Sequence, residues 1–395
     1  MQTNNPASAI IRSLLLPVFL PSVLMSITEY SLLPIIPSTA HLLGADLPTA
    51  GVIAGLLMLG VVVTDLPAGR LVDHYGERRS MIFGALAGAL GVVLVAFSNS
   101  LVLMGVGVFA VGIGVAIFAL ARHAFFAEHI PLEYRARALS LLGGTFRAGS
   151  FIGPLIASGL VVWLGIESVY WFAGLTSAAA GVIILSTKPD AIKATPASAP
   201  GGVLAVAKAH RKQLLTVGLG AAIIGVVRTT RQIGLPLWAL FIGLAPEEST
   251  FYIGLAAIID FALFYASGQI MDRYGRFWAS VPPLIGLAIA HLLTFTATNG
   301  ISFLVLAVAM ALANGFGSGV ILTIGADLAP AGQRNEFLAS YRLITDVGVA
   351  AAPPALSALA SGIGLAAGMA SFGVVGFVGV WLLWRYLPVY IPKSN

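Results

Sequence analysis

Long apolar stretches separated by short polar connections run through almost the whole chain. A bilayer core is about 30 Å thick and needs roughly 20 apolar residues to be crossed by an α-helix, so each stretch predicts one spanning helix. The twelve predicted spans are 12–37, 48–72, 80–98, 101–125, 136–162, 167–186, 213–243, 249–271, 278–297, 300–325, 335–361 and 365–387. We therefore expect an all-α membrane protein with twelve transmembrane helices.

The composition supports lipid as the solvent of this protein. Hydrophobic residues make up 58% of the chain and charged residues only 9%, whereas a soluble domain is roughly 25% charged. The absence of cysteine excludes disulfides and thiolate metal sites. The first apolar stretch contains Glu29 and extends beyond the 7 to 15 residues, roughly, of a signal-peptide core, so we expect a retained helix.

Basic residues occur in every second connection between the predicted spans. They are Arg70, Arg78, Arg79, Arg135, Arg137, Lys188, Lys193, Lys208, Arg211, Lys212, Arg273, Arg276 and Arg334. The opposite connections contain acidic residues instead, namely Asp46, Glu167, Glu247 and Glu248. Because basic loops stay in the cytoplasm, both termini are predicted to be cytoplasmic, in a multi-pass protein of the inner (plasma) membrane.

One long polar segment divides the chain into two halves. Residues 188–212 include the sequence ATPASAPGG and are predicted to form a cytoplasmic linker. The linker separates an N-terminal six-helix bundle, residues 1–187, from a C-terminal one, residues 213–395.

The two halves repeat each other at an offset of 199 residues. GRLVDHYGER, starting at Gly69, aligns with GQIMDRYGRF, starting at Gly268. Without a gap, the same offset aligns Glu128 with Asp327, Pro131 with Pro330, Arg135 with Arg334, Gly149 with Gly348 and Pro154 with Pro353. Parallel six-helix repeats of this kind are known in secondary transporters, whose substrate site lies at the midplane between the halves.

Three segments carry a resemblance to a known family. GRLVDHYGERR (Gly69–Arg79) resembles the loop signature between helices 2 and 3 of the major facilitator superfamily, and GSFIGP (Gly149–Pro154) is similar to its antiporter signature in helix 5. TEYSLLPIIP (Thr28–Pro37) resembles the acidic first helix of the drug:proton antiporters for drug, sugar and purine efflux.

The resemblance implies two pseudo-symmetric six-helix bundles, export of the substrate, and a loop latch that stabilises the outward-facing state. The chain also departs from the family at one position. Helix 4 often carries an arginine about four residues before a glycine, whereas here Val108 precedes Gly112. Coupling schemes that need that arginine therefore do not carry over directly.

Ionisable residues inside the predicted spans are candidate functional groups, because a charge in hydrocarbon costs a few kcal/mol unless it faces a cavity or a partner. Glu29 is the predicted proton-coupling carboxylate, since burial favours its neutral form. The alternative is a static ion pair with Arg228 or Arg231. Asp65 and Asp346 are candidates for a second proton site.

Arg228 and Arg231 lie one turn apart on the seventh predicted span and would form a basic spot suited to an anionic or strongly polar substrate. The alternative is that they only neutralise acids such as Glu29 and Asp65. Further candidate substrate contacts, from their placement on spans 1, 4, 7 and 10, are Tyr30, Gln232, Trp238, Asn314 and Phe118.

Five other charged residues are assigned to gating or structural ion pairs. Arg147 and Asp260 lie at mid-depth on the fifth and eighth spans, which meet between the halves in the resembling family, and a salt bridge is expected there. Asp73, Arg79 and Asp272 belong to the two related loops. His291 and His123 are interpreted as packing or interfacial residues.

The sequence contains no phosphate-binding loop, HExxH or GxSxG motif, which argues against ATP-driven transport and hydrolysis. We expect no cofactor, metal or nucleic-acid partner, and a monomer that uses protons and a small-molecule substrate. The leading hypothesis is proton-coupled export of small organic molecules by alternating access. One alternative is a carrier for a specific organic anion or amphiphile, as symporter, uniporter or lipid flippase; another is a channel or non-transporting receptor.

Overall fold

The computed structural model describes residues 15–129, 132–186, 201–330 and 332–391. The six spanning helices of the first half are α1 (Leu20–Leu32, continued by Ile36–Leu42), α2 (Leu47–Tyr75), α3 (Glu77–Ala96), α4 (Leu101–His129), α5 (Leu132–Leu164) and α6 (Glu167–Leu185). Those of the second half are α7 (Leu219–Phe241), α8 (Pro246–Tyr274), α9 (Arg276–Leu292), α10 (Gly300–Phe316, continued by Val320–Leu328), α11 (Arg334–Ile363) and α12 (Leu365–Tyr390).

Shorter helical pieces adjoin these spans. Leu15–Phe19 is a π-helix before α1, Arg211–Gln213 and the π-helix Leu214–Gly218 precede α7, and the 3-10 turn Thr294–Thr296 follows α9. Eleven helices in the described part of the chain are long and apolar enough to cross a membrane. The remaining helix, α9, has 17 residues before its 3-10 turn. The prediction of twelve transmembrane helices is confirmed.

The backbone repeats at the offset found in the sequence. Three pairs of glycines with positive φ are each separated by 199 residues: Gly44 and Gly243 (92° and 76°), Gly76 and Gly275 (80° and 88°), and Gly165 and Gly364 (84° and 86°). Glycine lacks a Cβ and adopts this region at low steric cost. The repeat therefore places chain reversals at equivalent points of the two halves.

The chain divides into two compact units. Unit 1 comprises the residues up to Ala45, Ile53–Pro196 and Pro246–Gly254, and unit 2 comprises Asp46–Val52, Ala197–Ala245 and the residues from Leu255 onward. Each unit thus contains one half of the repeat together with the beginning of a helix from the other half.

Close approach between helices in unit 1 depends on glycines. A Cβ on Gly84 of α3 would lie 2.7 Å from the backbone nitrogen of Phe118 in α4, and one on Gly91 would lie 2.6 Å from that of Val111. In α5, a Cβ on Gly149 would lie 2.8 Å from the carbonyl carbon of Ser26 in α1. Small residues allow such contacts between membrane helices, and the GSFIGP segment makes them against α1.

Unit 2 includes the described end of the predicted linker. Residues 187–200 lie outside the described residues, but Gly201–Ala209 forms a helix that packs against α11. Ser340 Oγ of α11 donates to the carbonyl oxygen of Val203 at 3.4 Å. This end of the predicted linker, residues 188–212, is therefore helical and not an extended connection.

The beginning of α8 belongs to unit 1 and the beginning of α2 belongs to unit 2. Each contacts a serine, and the two serines are related by the repeat. In unit 1, Ser158 Oγ of α5 donates to the carbonyl oxygen of Glu247 at the start of α8, at 2.9 Å. In unit 2, the buried Ser357 of α11 packs against Gly51 near the start of α2. Ser158 and Ser357 are separated by the 199-residue offset, so repeat-related serines contact the beginnings of the repeat-related helices α8 and α2.

Candidate functional site

Glu29 is buried in the last turn of the first segment of α1, with 6% of its surface exposed. The helix stops directly afterwards, at residues 33–35, because Pro34 has no N–H to donate to the preceding turn. The adjacent Thr28 hydrogen-bonds to Thr176 of α6, with the two hydroxyl oxygens 2.8 Å apart. This bond orders the turn of α1 that carries the carboxylate.

The positively charged residue that interacts electrostatically with Glu29 within unit 1 is Arg122 of α4. The two charges attract each other, and both residues are only 6% exposed. The Nε of Arg122 is buried without a hydrogen-bond partner. The sequence suggests Arg228 or Arg231 for this role. Arg122 was not predicted as a partner of Glu29, because the face of α4 that meets α1 cannot be read from its apolar pattern.

A second buried polar cluster lies in unit 2. Arg231 Nη2 of α7 lies 3.0 Å from Asp260 Oδ2 of α8, and Asn314 Nδ2 of α10 donates to the same carboxylate oxygen. Asn314 Oδ1 and Arg231 Nε are buried without hydrogen-bond partners. His291 of α9 is fully buried, within electrostatic range of Arg231. The Nε donor of Arg231 and the Oδ1 acceptor of Asn314 are therefore unsatisfied beside the Arg231–Asp260 ion pair.

Arg228 contacts a break in α10. Residues 317–319 separate the two segments of that helix, and Gly319 has a φ of 75°. Arg228 Nη2 donates to the carbonyl oxygen of Gly317 at 2.7 Å, and Ser267 Oγ of α8 donates to that of Ser318 at 2.9 Å. The side chains thus satisfy carbonyls that a continuous helix would pair itself. This use of Arg228 was not predicted from the sequence.

The other predicted substrate contacts differ in their surroundings. Tyr30 makes an edge-to-face contact with Phe146 of α5, their ring centroids 5.2 Å apart, and Gln232 is half-buried. Trp238 is 2% exposed, and its Nε1 donates to the carbonyl oxygen of Ala297 at 2.8 Å. Phe118 belongs to the hydrophobic core of unit 1, so we do not include it in the proposed site.

Three further predicted residues are half-buried on their helices: Arg147 on α5, Asp65 on α2 and Asp346 on α11. Arg342, one turn earlier on α11, attracts Asp346, and Thr345 Oγ1 lies 3.4 Å from Asp346 Oδ1. The predicted pairing of Arg147 with Asp260 and the proton-coupling roles of Asp65 and Asp346 remain predictions.

The loop residues Asp73, Arg79 and Asp272 are exposed. Their neighbours make the structural contacts. Arg78 donates through Nε and Nη2 to the carbonyl oxygens of Ile184 and Leu185 at the end of α6, at 3.1 and 2.7 Å. In unit 2, Arg276 Nε lies 2.7 Å from Asp327 Oδ2. Both loops therefore attach to a neighbouring helix through an arginine.

The amino-acid sequence was compared with the sequence profiles of known protein families. The profile of the Major Facilitator Superfamily matches residues 18–290. The chain belongs to the Major Facilitator Superfamily. It is a multi-pass membrane protein with relatives in the efflux branch, as the resemblance implied.

Curated members of the superfamily match over part of their length. The chain is 31% identical over 156 residues to a gallate transporter of Pseudomonas putida, and 29% identical over 162 residues to the class H tetracycline resistance protein of Pasteurella multocida. These matches cover 39% and 40% of this chain, and 35% and 40% of the relatives. Sugar efflux transporter B of Salmonella typhimurium is 26% identical over 231 residues, 56% of this chain and 57% of that protein.

Solved structures of the superfamily share the fold over nearly the whole chain. A POT family transporter crystallised with a thioalcohol-conjugated peptide superposes with a TM-score of 0.79 at 13% identity, over 96% of this chain and 97% of that one. A D-xylose–proton symporter superposes with a TM-score of 0.70 at 16% identity, over 95% and 98%. At these identities, the similarity establishes the common fold.

Proposed function

We propose that this protein exports small organic molecules across the inner membrane, with both termini in the cytoplasm, and couples the export to protons by alternating access. The observation that carries the proposal is the buried Glu29, which faces Arg122 within the first bundle. The bundles formed by residues 1–187 and 213–395 would rock against each other around a substrate site near the midplane.

Protonation of Glu29 changes the charge balance inside unit 1. The ionised carboxylate attracts Arg122, and a neutral Glu29 leaves that guanidinium uncompensated among apolar helices. A buried charge without its partner is costly. Proton binding therefore supplies the differential free energy between two conformations that any coupled transporter requires.

The substrate would be bound by the polar cluster of unit 2. Asp260 neutralises Arg231 at 3.0 Å, so the cluster offers open hydrogen-bonding atoms on Arg231 and Asn314 without an excess positive charge. This balance favours neutral or cationic organic molecules over anions. Tyr30 and Gln232 are proposed as further contacts.

The names of the relatives differ in transport direction and substrate. A tetracycline resistance protein and a sugar efflux transporter support the leading proposal. The gallate transporter supports the alternative, a carrier for an organic anion. In that alternative, Arg228 would release the Gly317 carbonyl oxygen and bind the anionic group.

A transport assay in proteoliposomes with an imposed pH gradient distinguishes proton-coupled export from a carrier for an organic anion. Movement of several unrelated neutral or cationic compounds toward the side of higher proton concentration is the expected result for export by exchange. Saturable transport of one anion in the direction of proton flow would support the alternative. Flux at electrodiffusive rates would contradict both, because it would indicate a channel.

A further inference from the structure

The second segment of α10 begins inside the membrane-spanning part of unit 2. It runs from Val320 to Leu328, about 13 Å at 1.5 Å per residue, so its first turn lies well away from both ends of α10. Val320 is fully buried. The first N–H groups of a helix lack acceptors within that helix and give its beginning a partial positive charge. Away from water, such groups need another partner.

The residues before this segment do not cap it. The N-cap is Gly319, which has a φ of 75° and no side chain that could accept from the first turn. Ser318, the residue before it, is 2% exposed, and its Oγ has no hydrogen-bond partner among the described residues. Other buried serines, such as Ser22 and Ser280, donate to the carbonyl oxygen four residues earlier. The Ser318 hydroxyl is therefore an unsatisfied buried donor beside a helix end that also lacks an acceptor.

A guanidinium group lies at the same break. Arg228 Nη2 donates to the carbonyl oxygen of Gly317 at 2.7 Å, and the carbonyl oxygen of Ser318 accepts from Ser267 Oγ at 2.9 Å. A guanidinium group carries five N–H donors, so Arg228 can hold the carbonyl oxygen and donate to a second acceptor. The carbonyl oxygens at the break are thus bonded, and the groups around it that need a partner are donors.

We infer that the break in α10 binds one small monovalent anion of the size of chloride. The anion accepts from the first N–H groups of the second segment, from Ser318 Oγ and from the guanidinium group of Arg228. A helix beginning suits an anion because its N–H groups point at the ligand and its dipole favours negative charge. Ser318 and Val320 are buried, so a monatomic ion fits this environment better than an organic acid, whose carbon skeleton would need additional room.

The test measures anion binding without transport, so its result is independent of the proposed proton coupling. The purified full-length protein in a neutral detergent is titrated with sodium chloride, while sodium gluconate keeps the ionic strength constant. The melting temperature is recorded, because a ligand of the folded state stabilises it. We expect a saturable rise with chloride. The absence of a saturable rise, or an apparent affinity for benzoate that equals or exceeds that for chloride, would overturn the inference.

Two variants locate the ion, each with a matched control. Ser318→Ala removes one donor and is expected to weaken the apparent chloride affinity about tenfold. Its control is Ser280→Ala, at a buried serine that bonds within its own helix. Gly319→Asp places a carboxylate at the N-cap, where only Met271 lies within 4 Å of the new Cβ, and is expected to abolish the chloride-dependent rise. Its control is Gly364→Asp, at the N-cap of α12 and also at positive φ.

Both controls are expected to keep the chloride affinity of the unmodified protein. An unchanged affinity in folded Ser318→Ala and Gly319→Asp would overturn the assignment. Crystals of the unmodified protein grown with sodium bromide provide a second measurement, which does not depend on the folding of any variant. We expect an anomalous difference peak within hydrogen-bonding distance of Ser318 Oγ, and a map without a peak at that position would contradict the site.

Discussion

Arg231 of α7 and Asp260 of α8 form an ion pair of 3.0 Å inside unit 2, and Asn314 of α10 donates to the same carboxylate oxygen. This pair gives Arg231 a partner within its own bundle. Glu29 likewise faces Arg122 within unit 1. Arg231 and Glu29 therefore each have an oppositely charged partner inside their own unit.

Removing one member of the Arg231–Asp260 pair is expected to destabilise the protein. Asp260→Asn leaves a guanidinium whose side chain is only 15% exposed, and we expect a loss of about 2–4 kcal/mol in the free energy of unfolding. Thermal or denaturant unfolding in detergent measures it. Asp272→Asn, on the same helix but exposed, is the control and should change stability by less than about 0.5 kcal/mol.

A double variant distinguishes a true pair from two independent residues. Arg231→Met combined with Asp260→Leu should lose less stability than the sum of the two single changes, because neither charge is left alone. Additive losses would contradict the pairing.

Gly149→Ala is expected to move α1. Its new Cβ would lie 2.8 Å from the carbonyl carbon of Ser26, and backbone cannot yield as a flexible side chain can. We expect a loss of about 1–3 kcal/mol and reduced transport, since α1 carries Glu29. Gly159→Ala on the same helix has no atom within 4 Å of its Cβ and should be neutral or stabilising. Equal melting temperatures for both variants would argue against close α1–α5 packing.

Gly76→Ala tests the backbone of the α2–α3 loop. Gly76 has φ 80° and ψ 166°, and no atom lies within 4 Å of the position that a Cβ would take, so any cost comes from the conformation and not from a clash. A side chain there costs about 1–3 kcal/mol, measurable by unfolding. Gly69→Ala, in the adjoining helix and with its nearest neighbour at 4.0 Å, is the matched control; a loss of the same size in both would point to another cause.

Arg78→Gln is expected to loosen the end of α6. The change removes the hydrogen bonds to the carbonyl oxygens of Ile184 and Leu185 and should cost about 1–2 kcal/mol. The neighbouring Arg79 is exposed, so Arg79→Gln serves as control. The rate of amide hydrogen exchange at the last turn of α6 should rise in Arg78→Gln only. Equal exchange rates in Arg78→Gln and Arg79→Gln would contradict this interpretation.

The fold was predictable because each span needs only length and apolarity, and because the 199-residue offset fixes equivalent turns. The glycines at 76 and 275 illustrate this: the alignment of the two loop segments relates them, and both adopt positive φ. The breaks in α1 and α10 were not predicted. Pro34 and Gly317–Gly319 lie inside apolar stretches, where composition alone does not show that the helix stops.

The candidate site was only partly predictable. The sequence identified Glu29, Arg231 and Asp260 as charges inside apolar spans, and Asn314 as a candidate substrate contact. It did not identify their neighbours, because a helix that is apolar on all sides gives no sign of which face meets which helix. Arg122 is the clearest case: the charge lies inside the predicted span 101–125, but the sequence does not show that it acts on Glu29 of α1.

The most direct test of the central claim is proton-driven transport by Glu29→Gln in proteoliposomes, with Glu167→Gln, an exposed acid at the start of α6, as control. Glutamine keeps the size of the side chain and resembles the neutral carboxyl group, but it cannot bind and release the coupling proton. We predict that Glu29→Gln still exchanges substrate down its gradient but no longer accumulates it in response to an imposed pH gradient, while the control does both. Full pH-driven accumulation by Glu29→Gln would contradict the account.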